Sequence, residues 1–423
     1  MKIILVNRYL YPDQSATSRM TTSLASGLKE RGFPVTGLAS RDIHNDRSQR
    51  LPPEGDLDGI RIHRLWTSAF GRASLYGRAL DYLTFHLSAA WWVLRHARRG
   101  DICVVCTDPP LLSVTLALPL RLKGARMVNW LHDLFPEVAL RLGMSGSARL
   151  GKAALRLRDW SLAQAAINVP PTGTMGRFLA ARGIPPDKLH VLHHWADAGG
   201  IRPVPPEANA LRRQWGLEGK FVVGYSGNFG RVHEFETILE AADRLKSRDD
   251  IRFLFIGDGH RRAAVETWVR QKQLGNVQFH PLQPSSHLSE SLCAADMHLV
   301  SLLPPLEPCI IPSKFYGILA AGRPTLFVGD PAGEVASALA SGHCGRSVAI
   351  GDGAGLADHI QDLAASPEIC ARMGANARDL FEREYTHMRG CDEWARLMDG
   401  LVRTPDSVES EATSPKLAKK RSS

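Results

Sequence analysis

The run Thr325-Leu326-Phe327-Val328 has no polar alternation, and this constrains the fold more than any other stretch. A strand that is apolar on both sides must be covered on both faces, as in the middle of a parallel sheet flanked by helices. The residues leading into it, CIIPSKFYGILAAGRP over 309–324, read as a loop, a short helix and a stop. Pro312 suits a first helical turn, since its ring presets φ and its missing N–H would be unpaired there. Ser313 is the expected cap, residues 318–321 form an apolar face, and Gly322 is the left-handed stop. A helix start presents unpaired N–H groups and a positive dipole end, and Lys314 adds a full charge, so this loop is expected to hold an anion.

With 423 residues the chain exceeds what one core supports, and two domains of similar size are expected. Its 44% hydrophobic and 22% charged content is that of an ordinary soluble protein. Residues 1–6 do not read as a signal peptide, and no apolar run reaches the roughly 18 residues of a spanning helix. The seven cysteines are scattered. Cys103 and Cys106 lie in one strand-like run, where alternation sends them to opposite faces, so they are expected as core residues in a reducing cytoplasm.

The net charge of +9 admits nucleic acid, an anionic membrane or phosphorylated small molecules as partners. No nucleic-acid-binding signature is present, so nucleic acid is set aside. Arg61, Arg64, Arg72, Arg78, Arg95, Arg98 and Arg99 alternate with Trp66, Phe70, Tyr76, Tyr82, Trp91 and Trp92. That mixture suits either the surface of an anionic bilayer, with the protein peripheral to the membrane, or a solvated helix packed on its own domain.

In chain order, strands are expected at 2–6, 34–39, 60–65, 101–107, 126–131, 167–169 and 189–193, with helices at 21–30, 75–98, 111–122 and 172–182 between them. Residues 42–58 read as an exposed excursion. A linker follows at Ala198-Gly199-Gly200 and 203–206. A second set of strands is expected at 221–225, 253–256, 277–279, 297–301 and 325–328, with helices at 234–245, 333–340, 356–364 and 367–381. The fold class is therefore α/β, with two doubly wound Rossmann-like domains, 1–198 and 199–390. Residues 391–403 form a helix returning to the first domain, and 404–423 are a polar tail expected to be disordered. In such domains ligands sit beyond the carboxyl ends of strands, and the loop after 2–6 lacks the GxGxxG of a dinucleotide site.

Two such domains with a returning helix resemble the GT-B architecture. Tyr225-Ser226-Gly227-Asn228-Phe229-Gly230-Arg231, Phe255-Ile256-Gly257-Asp258-Gly259, Pro312-Ser313-Lys314 and Ala320-Ala321-Gly322-Arg323-Pro324 occur in order. Together with Tyr11-Pro12 and Asp133-Leu134-Phe135-Pro136-Glu137, they resemble glycosyltransferase family 4, in the exopolysaccharide and lipopolysaccharide branch that includes the colanic-acid type. The resemblance implies a retaining transfer from a nucleotide-diphospho-sugar to a polyprenyl-diphosphate-linked saccharide, with no cofactor beyond the donor and no assigned nucleophile. It implies donor binding by Gly227, Asn228, Gly230, Arg231, Gly257, Gly259, Leu282, Glu307, Ile310, Ile311, Ser313 and Lys314. Asp133 and His132 would orient the acceptor hydroxyl.

The charge logic stands on its own. A diphosphate leaving group gains charge as the glycosidic bond breaks, and fixed cations there favour the transition state. Arg231 and Lys314 are the candidates, so no metal is required; their ordinary readings are a surface arginine and a capping lysine. The chain also departs from the family. The two glutamates that many members carry fall at Cys309 and Gly317, with Glu307 two residues early, and a usual lysine after Arg231 is replaced by His233-Glu234-Phe235. A nucleotide-sugar epimerase of the same architecture and a non-catalytic subunit of a polysaccharide assembly are the alternatives.

Overall fold

The computed structural model describes residues 1–44, 46–71, 75–144, 147–196 and 200–403. Arg72, the linker residues Ala198 and Gly199, and the tail at 404–423 lie outside the described residues. The first domain runs β1 (Ile3–Val6), α1 (Ala16–Glu30), β2 (Val35–Ser40), β3 (Asp42–Ile43), β4 (Asp46–Arg50), β5 (Glu54–Leu57), β6 (Ile60–Leu65) and α2 (Leu75–His96). It continues with β7 (Ile102–Cys106), α3 (Leu112–Lys123), β8 (Arg126–Trp130), α4 (Glu137–Arg141), α5 (Ala148–Gln164), β9 (Ile167–Val169) and α6 (Gly173–Ala181). The sheet order is β5-β6-β2-β1-β7-β8-β9, parallel except where β5 runs against β6.

The second domain comprises α7 (Ala210–Gln214), β10 (Phe221–Ser226), α8 (Glu236–Arg244), β11 (Ile251–Ile256), α9 (Arg262–Gln271), β12 (Val277–His280), α10 (Leu288–Cys293) and β13 (Met297–Ser301). After these come α11 (Lys314–Ala320), β14 (Thr325–Val328), α12 (Glu334–Ser341), β15 (Gly345–Val348), α13 (Gly353–Ala365), α14 (Pro367–Glu384) and α15 (His387–Arg403). Its sheet is parallel in the order β12-β11-β10-β13-β14-β15. Strand β14 sits between β13 and β15 with every residue buried, the place its unbroken apolar run demands.

Several expectations need correction. Helix α1 starts at Ala16, inside the stretch expected as a loop. The segment 42–58 contains the β3–β4 ribbon and the edge strand β5. Strands β5 and β6 join through Asp58-Gly59 with φ of 49° and 82°, the positive values that a tight two-residue hairpin needs. Residues 189–193 make a single bridge, Asn168 to Leu189, and not a strand. Strand β15 and the short helices α7 and α10 are additional elements.

Cys103 packs with Phe85, Trp92 and Leu116 under α2 and α3, while Cys106 faces Leu24, Trp130 and Trp394 under α1 and α15. The two thiols therefore lie on opposite faces of the sheet, and all seven cysteines are buried and unbridged. Arg64 and Trp92, grouped by sequence with the surface cations and aromatics, are instead interior. The Arg64 guanidinium donates to the carbonyl oxygens of Pro52, Glu54 and Tyr11. Helix α15 crosses back onto the first domain. Trp394 meets Trp130 at 5.0 Å between ring centroids, and Arg31 Nε donates to Asp392 at 2.7 Å. Among the described residues no helix is long and apolar enough to cross a membrane.

Candidate active site in the interdomain cleft

Strands β10 and β11 each end in a glycine turn, and the two turns interlock. Gly227 N–H donates to the Ile256 carbonyl at 2.9 Å, and Phe229 N–H to that of Asp258 at 2.9 Å. A Cβ at Gly257 would lie 2.0 Å from the Gly227 carbonyl oxygen, and one at Gly259 would lie 2.4 Å from Asn228 Oδ1. Both glycines also have positive φ, 140° and 149°. The immediate reason for Gly257 and Gly259 is thus the contact between the two turns. Arg262 clamps the same place through the Gly257 carbonyl.

Lys314 opens α11 and runs over this turn. A Cβ at Gly227 would meet Lys314 Cε at 3.3 Å, and Nζ lies 3.6 Å from the centroid of the Tyr225 ring. The residue is partly exposed along its stem, but Nζ is buried and has no hydrogen-bond partner. Burial therefore holds the amine well below its ordinary pKa. His233 stands beside it, its Nδ1 donating to the Ser301 carbonyl at 2.5 Å, and its pKa is pushed down to about 3 by burial first and then by Lys314. Arg231 is exposed and makes no ion pair among the described residues. Asn228 is also exposed, and Gly230 is half-buried.

The loop before α11 places Ile310 in the core, Ile311 half-buried and Ser313 exposed. Ser313 does not cap. Its backbone is already helical, at φ −59° and ψ −22°, and its side chain accepts no hydrogen bond. Gly322 does adopt the left-handed stop, at φ 63°. Glu307 lies under the start of α12, where its Oε1 accepts Glu334 N–H at 2.6 Å while Oε2 is buried without a partner. Burial, then Asp330 and Glu334, push this carboxyl up to about 7. At Gly317 a Cβ would meet Ile201 and Leu292, both at 3.7 Å, so that position faces an apolar contact. Leu282, after β12, is exposed.

The first domain supplies the opposite wall. The backbone N–H groups of His132 and Asp133, just past β8, share Thr107 Oγ1 at 3.2 and 3.4 Å. His132 lies tilted at 44° against Trp130, 4.6 Å between ring centroids, and faces His194, with Nδ1 to Nε2 at 3.1 Å. Burial pushes His132 down to about 4, and burial with His132 and His193 lowers His194, so the pair is neutral near pH 7 and one facing nitrogen donates to the other. The Nε2 of His132 is buried and unpaired. Desolvation at the cleft wall, then Asp108, push Asp133 up to about 6, while the residue stays open to solvent on its other side. The two walls meet where Leu134 N–H donates to the Cys309 carbonyl at 2.8 Å. The 132–137 segment thus adjoins the loop that leads to Lys314.

Residues 15–195 match the model of a glycosyl transferase 4-like domain, and residues 207–380 match that of glycosyl transferases group 1. The chain belongs to the group 1 glycosyltransferases. The transferase is 31% identical over 252 residues to a putative colanic acid biosynthesis glycosyl transferase, WcaI, of Escherichia coli, a match spanning 58% of this chain and 61% of that relative. It is 27% identical over 412 residues, 95% of its length and 98% of the relative's, to the probable glycosyltransferase WbjE of Pseudomonas aeruginosa. Among solved structures it resembles Anabaena HepE in complex with UDP-glucose, at TM-score 0.69 and 14% identity over 95% of this chain and all of that one. The fold of the transferase is GT-B.

Sequence reasoning left three residues of the transferase's cleft unassigned. His194 lies 62 positions from His132, a pairing no local pattern reveals. His233 comes three residues after Gly230 of the glycine turn, and that position is a usable signal. Glu334 was read only as part of a helix, although its carboxylate reaches across to the other domain and accepts from Gly173 N–H, Thr174 N–H and Thr174 Oγ1.

Proposed function

We propose that the transferase moves a sugar, with retention, from a nucleotide-diphospho-sugar to a lipid-linked saccharide, of the polyprenyl-diphosphate kind, in the synthesis of a cell-surface polysaccharide. The observation that carries this reading is the Lys314 amine, buried without a hydrogen-bond partner over a glycine turn at the carboxyl end of β10. A buried amine without a partner is costly, and a diphosphate is an anion that would relieve it. The naming of the two relatives and the nucleotide-sugar bound in HepE support the same substrate class.

In this reading the donor diphosphate lies along Gly227–Gly230, where the two glycines let the backbone approach the phosphates without a Cβ in the way. Lys314 and Arg231 neutralise the charge that grows on the leaving group, so the proposal includes no metal. The free Oε2 of Glu307 accepts a donor hydroxyl. Ile310, Ile311 and Ser313 line the donor, and Leu282 with the backbone of Gly257 and Gly259 borders the base. From the first domain, Asp133 accepts the proton of the incoming hydroxyl and His132 Nε2 orients it. The protein works at the cytoplasmic face of an anionic membrane, where a lipid-linked acceptor resides.

The test is a thermal-shift screen against UDP-, GDP-, TDP- and ADP-sugars, followed by turnover of Lys314→Ala and Arg231→Ala with the stabilising donor. Each variant should lose at least about a hundredfold in turnover, the scale of removing one charge-stabilising group. Near-native rates in both would end the assignment. Conversion of the donor without acceptor would indicate an epimerase instead, and absence of any donor response would indicate a non-catalytic subunit.

A further inference from the structure

The first domain carries an apolar face that nothing in the described fold covers. On α2, Tyr76, Leu80, Leu83, Leu87, Trp91 and Leu94 recur at i, i+4, i+7, i+11, i+15 and i+18, a stripe about 80° wide at 3.6 residues per turn. All are exposed, Tyr76 at 86%, Leu87 at 60% and Trp91 at 62%. The opposite side of the helix, with Phe85, Ala89 and Val93, already fills the core, so this is a second apolar face on one helix. Helix α3 lies beside α2 and α5 beside α3. They add exposed Leu118 and Leu122, then Leu150 and Leu157. Scattered surface leucines need no explanation, but a six-residue stripe along one helix, with further exposed leucines on the helices beside it, does.

Charge says what covers it. Helix α2 has one acid, Asp81, which is buried and accepts from Ser68 Oγ and from the N–H groups of Phe70 and Gly71. Helix α3 has none. At the far end of the stripe Arg95 lies over the Trp91 ring at 5.0 Å, and Arg98, Arg99 and Arg121 are exposed nearby in chain and fold. Alongside the middle of α2 runs the connection from β6, where the Trp66 carbonyl accepts from Ser88 Oγ and Phe70 N–H donates to Asp81, with Trp66 and Phe70 exposed at 61% and 62%. That connection leaves the carboxyl end of its strand, the same end from which Thr107 and His132 reach the cleft.

We propose that the α2–α3–α5 face seats the transferase on an anionic lipid bilayer, with the stripe in the headgroup–acyl boundary and Arg95, Arg98 and Arg99 on lipid phosphates. This deepens the reading of a lipid-linked acceptor and rests on it for its purpose. Aromatics with flanking arginines are the residues that bind a membrane interface without crossing it. The Trp66–Phe70 edge then brings the cleft to the level of the headgroups, where a lipid diphosphate would present its saccharide.

The test is sedimentation of the full chain with vesicles of phosphatidylcholine alone and with phosphatidylglycerol added, at about 0.1 M salt, where charges are screened beyond about 10 Å. Binding should be at least tenfold tighter to the anionic vesicles. Leu83→Glu/Leu87→Glu/Trp91→Glu should lose at least tenfold, and Arg95→Ala/Arg98→Ala/Arg99→Ala should lose most of the anionic preference. Both variants should keep the thermal shift given by the donor without vesicles, which fails only if the nucleotide-sugar reading fails. Failure to bind anionic vesicles, equal binding by wild type and both variants, or a dimer abolished by the glutamates in the absence of vesicle binding would each overturn the proposal.

Discussion

Glu334 Oε2 accepts the hydroxyl of Thr174 at 2.8 Å, and this bond spans the cleft between the two domains. The same carboxylate takes the backbone N–H groups of Gly173 at 3.2 Å and Thr174 at 3.1 Å, so one domain caps the first turn of a helix in the other. Hydrogen bonds to a charged group contribute about 1.5–3 kcal/mol each when well formed. Glu334→Ala should therefore favour a more open pair of domains. Small-angle scattering should show a larger radius of gyration, and the donor KM should rise several-fold. Unchanged scattering would mean the contact does not hold the cleft shut.

Donor binding should take up a proton. The Lys314 amine is held well below its ordinary pKa by burial, so above that lowered value it is neutral, and a bound diphosphate would raise it again. Near pH 8 the binding enthalpy should then depend on the ionisation enthalpy of the buffer, with a slope of about one proton at most. Lys314→Met should remove the slope. A slope of zero in the wild type would show that the diphosphate does not reach this amine.

Glu307 gives a stability signature with a definite sign. Its folded value is raised to about 7 from 4.5, so between those pH values the folded state binds more protons than the unfolded. Stability should fall as pH rises through that window, by up to about 3 kcal/mol at 1.36 kcal/mol per unit. Glu307→Gln keeps an oxygen for the Glu334 N–H and removes the titration. The melting temperature of the variant should gain on that of the wild type from pH 5 to 7.5. Parallel curves would refute the raised carboxyl.

Asp133 is pushed up to about 6 and must be ionised to accept a hydroxyl proton. The profile of kcat/KM should thus climb with pH through about 6 and level above it. In Asp133→Asn the remaining activity should lack that limb. An identical limb in the variant would assign it to another group.

Gly257→Ala places a methyl group 2.0 Å from the Gly227 carbonyl oxygen at a φ of 140°. Overpacking and backbone strain each cost about 1–3 kcal/mol, so a loss of at least about 2 kcal/mol is expected in denaturant unfolding of the second domain. Gly275→Ala, where a Cβ meets nothing within 4 Å, serves as the mild control. Equal stability of the two variants would contradict the interlocked turns.

Elements whose burial is two-sided were the legible ones. β13 and β14 were expected at the residues where they occur, and for β14 a run without polar alternation leaves few alternatives. Strand β5 was missed although Asp58-Gly59 is a hairpin signal, since its own residues, Glu54-Gly55-Asp56-Leu57, look like loop. Strand β15, Gly345–Val348, holds a glycine and an arginine and forms only because β14 offers it an edge. At the site, glycine turns and Lys314 could be singled out because their chemistry is local. The His132–His194 pair and the Glu334 bond to Thr174 could not, because each joins residues separated by an entire set of elements.

Helix α15 has a consequence for how the polypeptide is made. Trp394 and Cys391, near the end of the chain, are fully buried against Trp130 and α1 of the first domain. Truncating one buried tryptophan costs about 3–5 kcal/mol. A nascent chain emerging from the ribosome can close its second sheet while the first still lacks part of its interior. Completion of the earlier half therefore waits for α15 to be translated, and a product cut short before His387 leaves a greasy wound beneath Trp130 for chaperones and proteases to find.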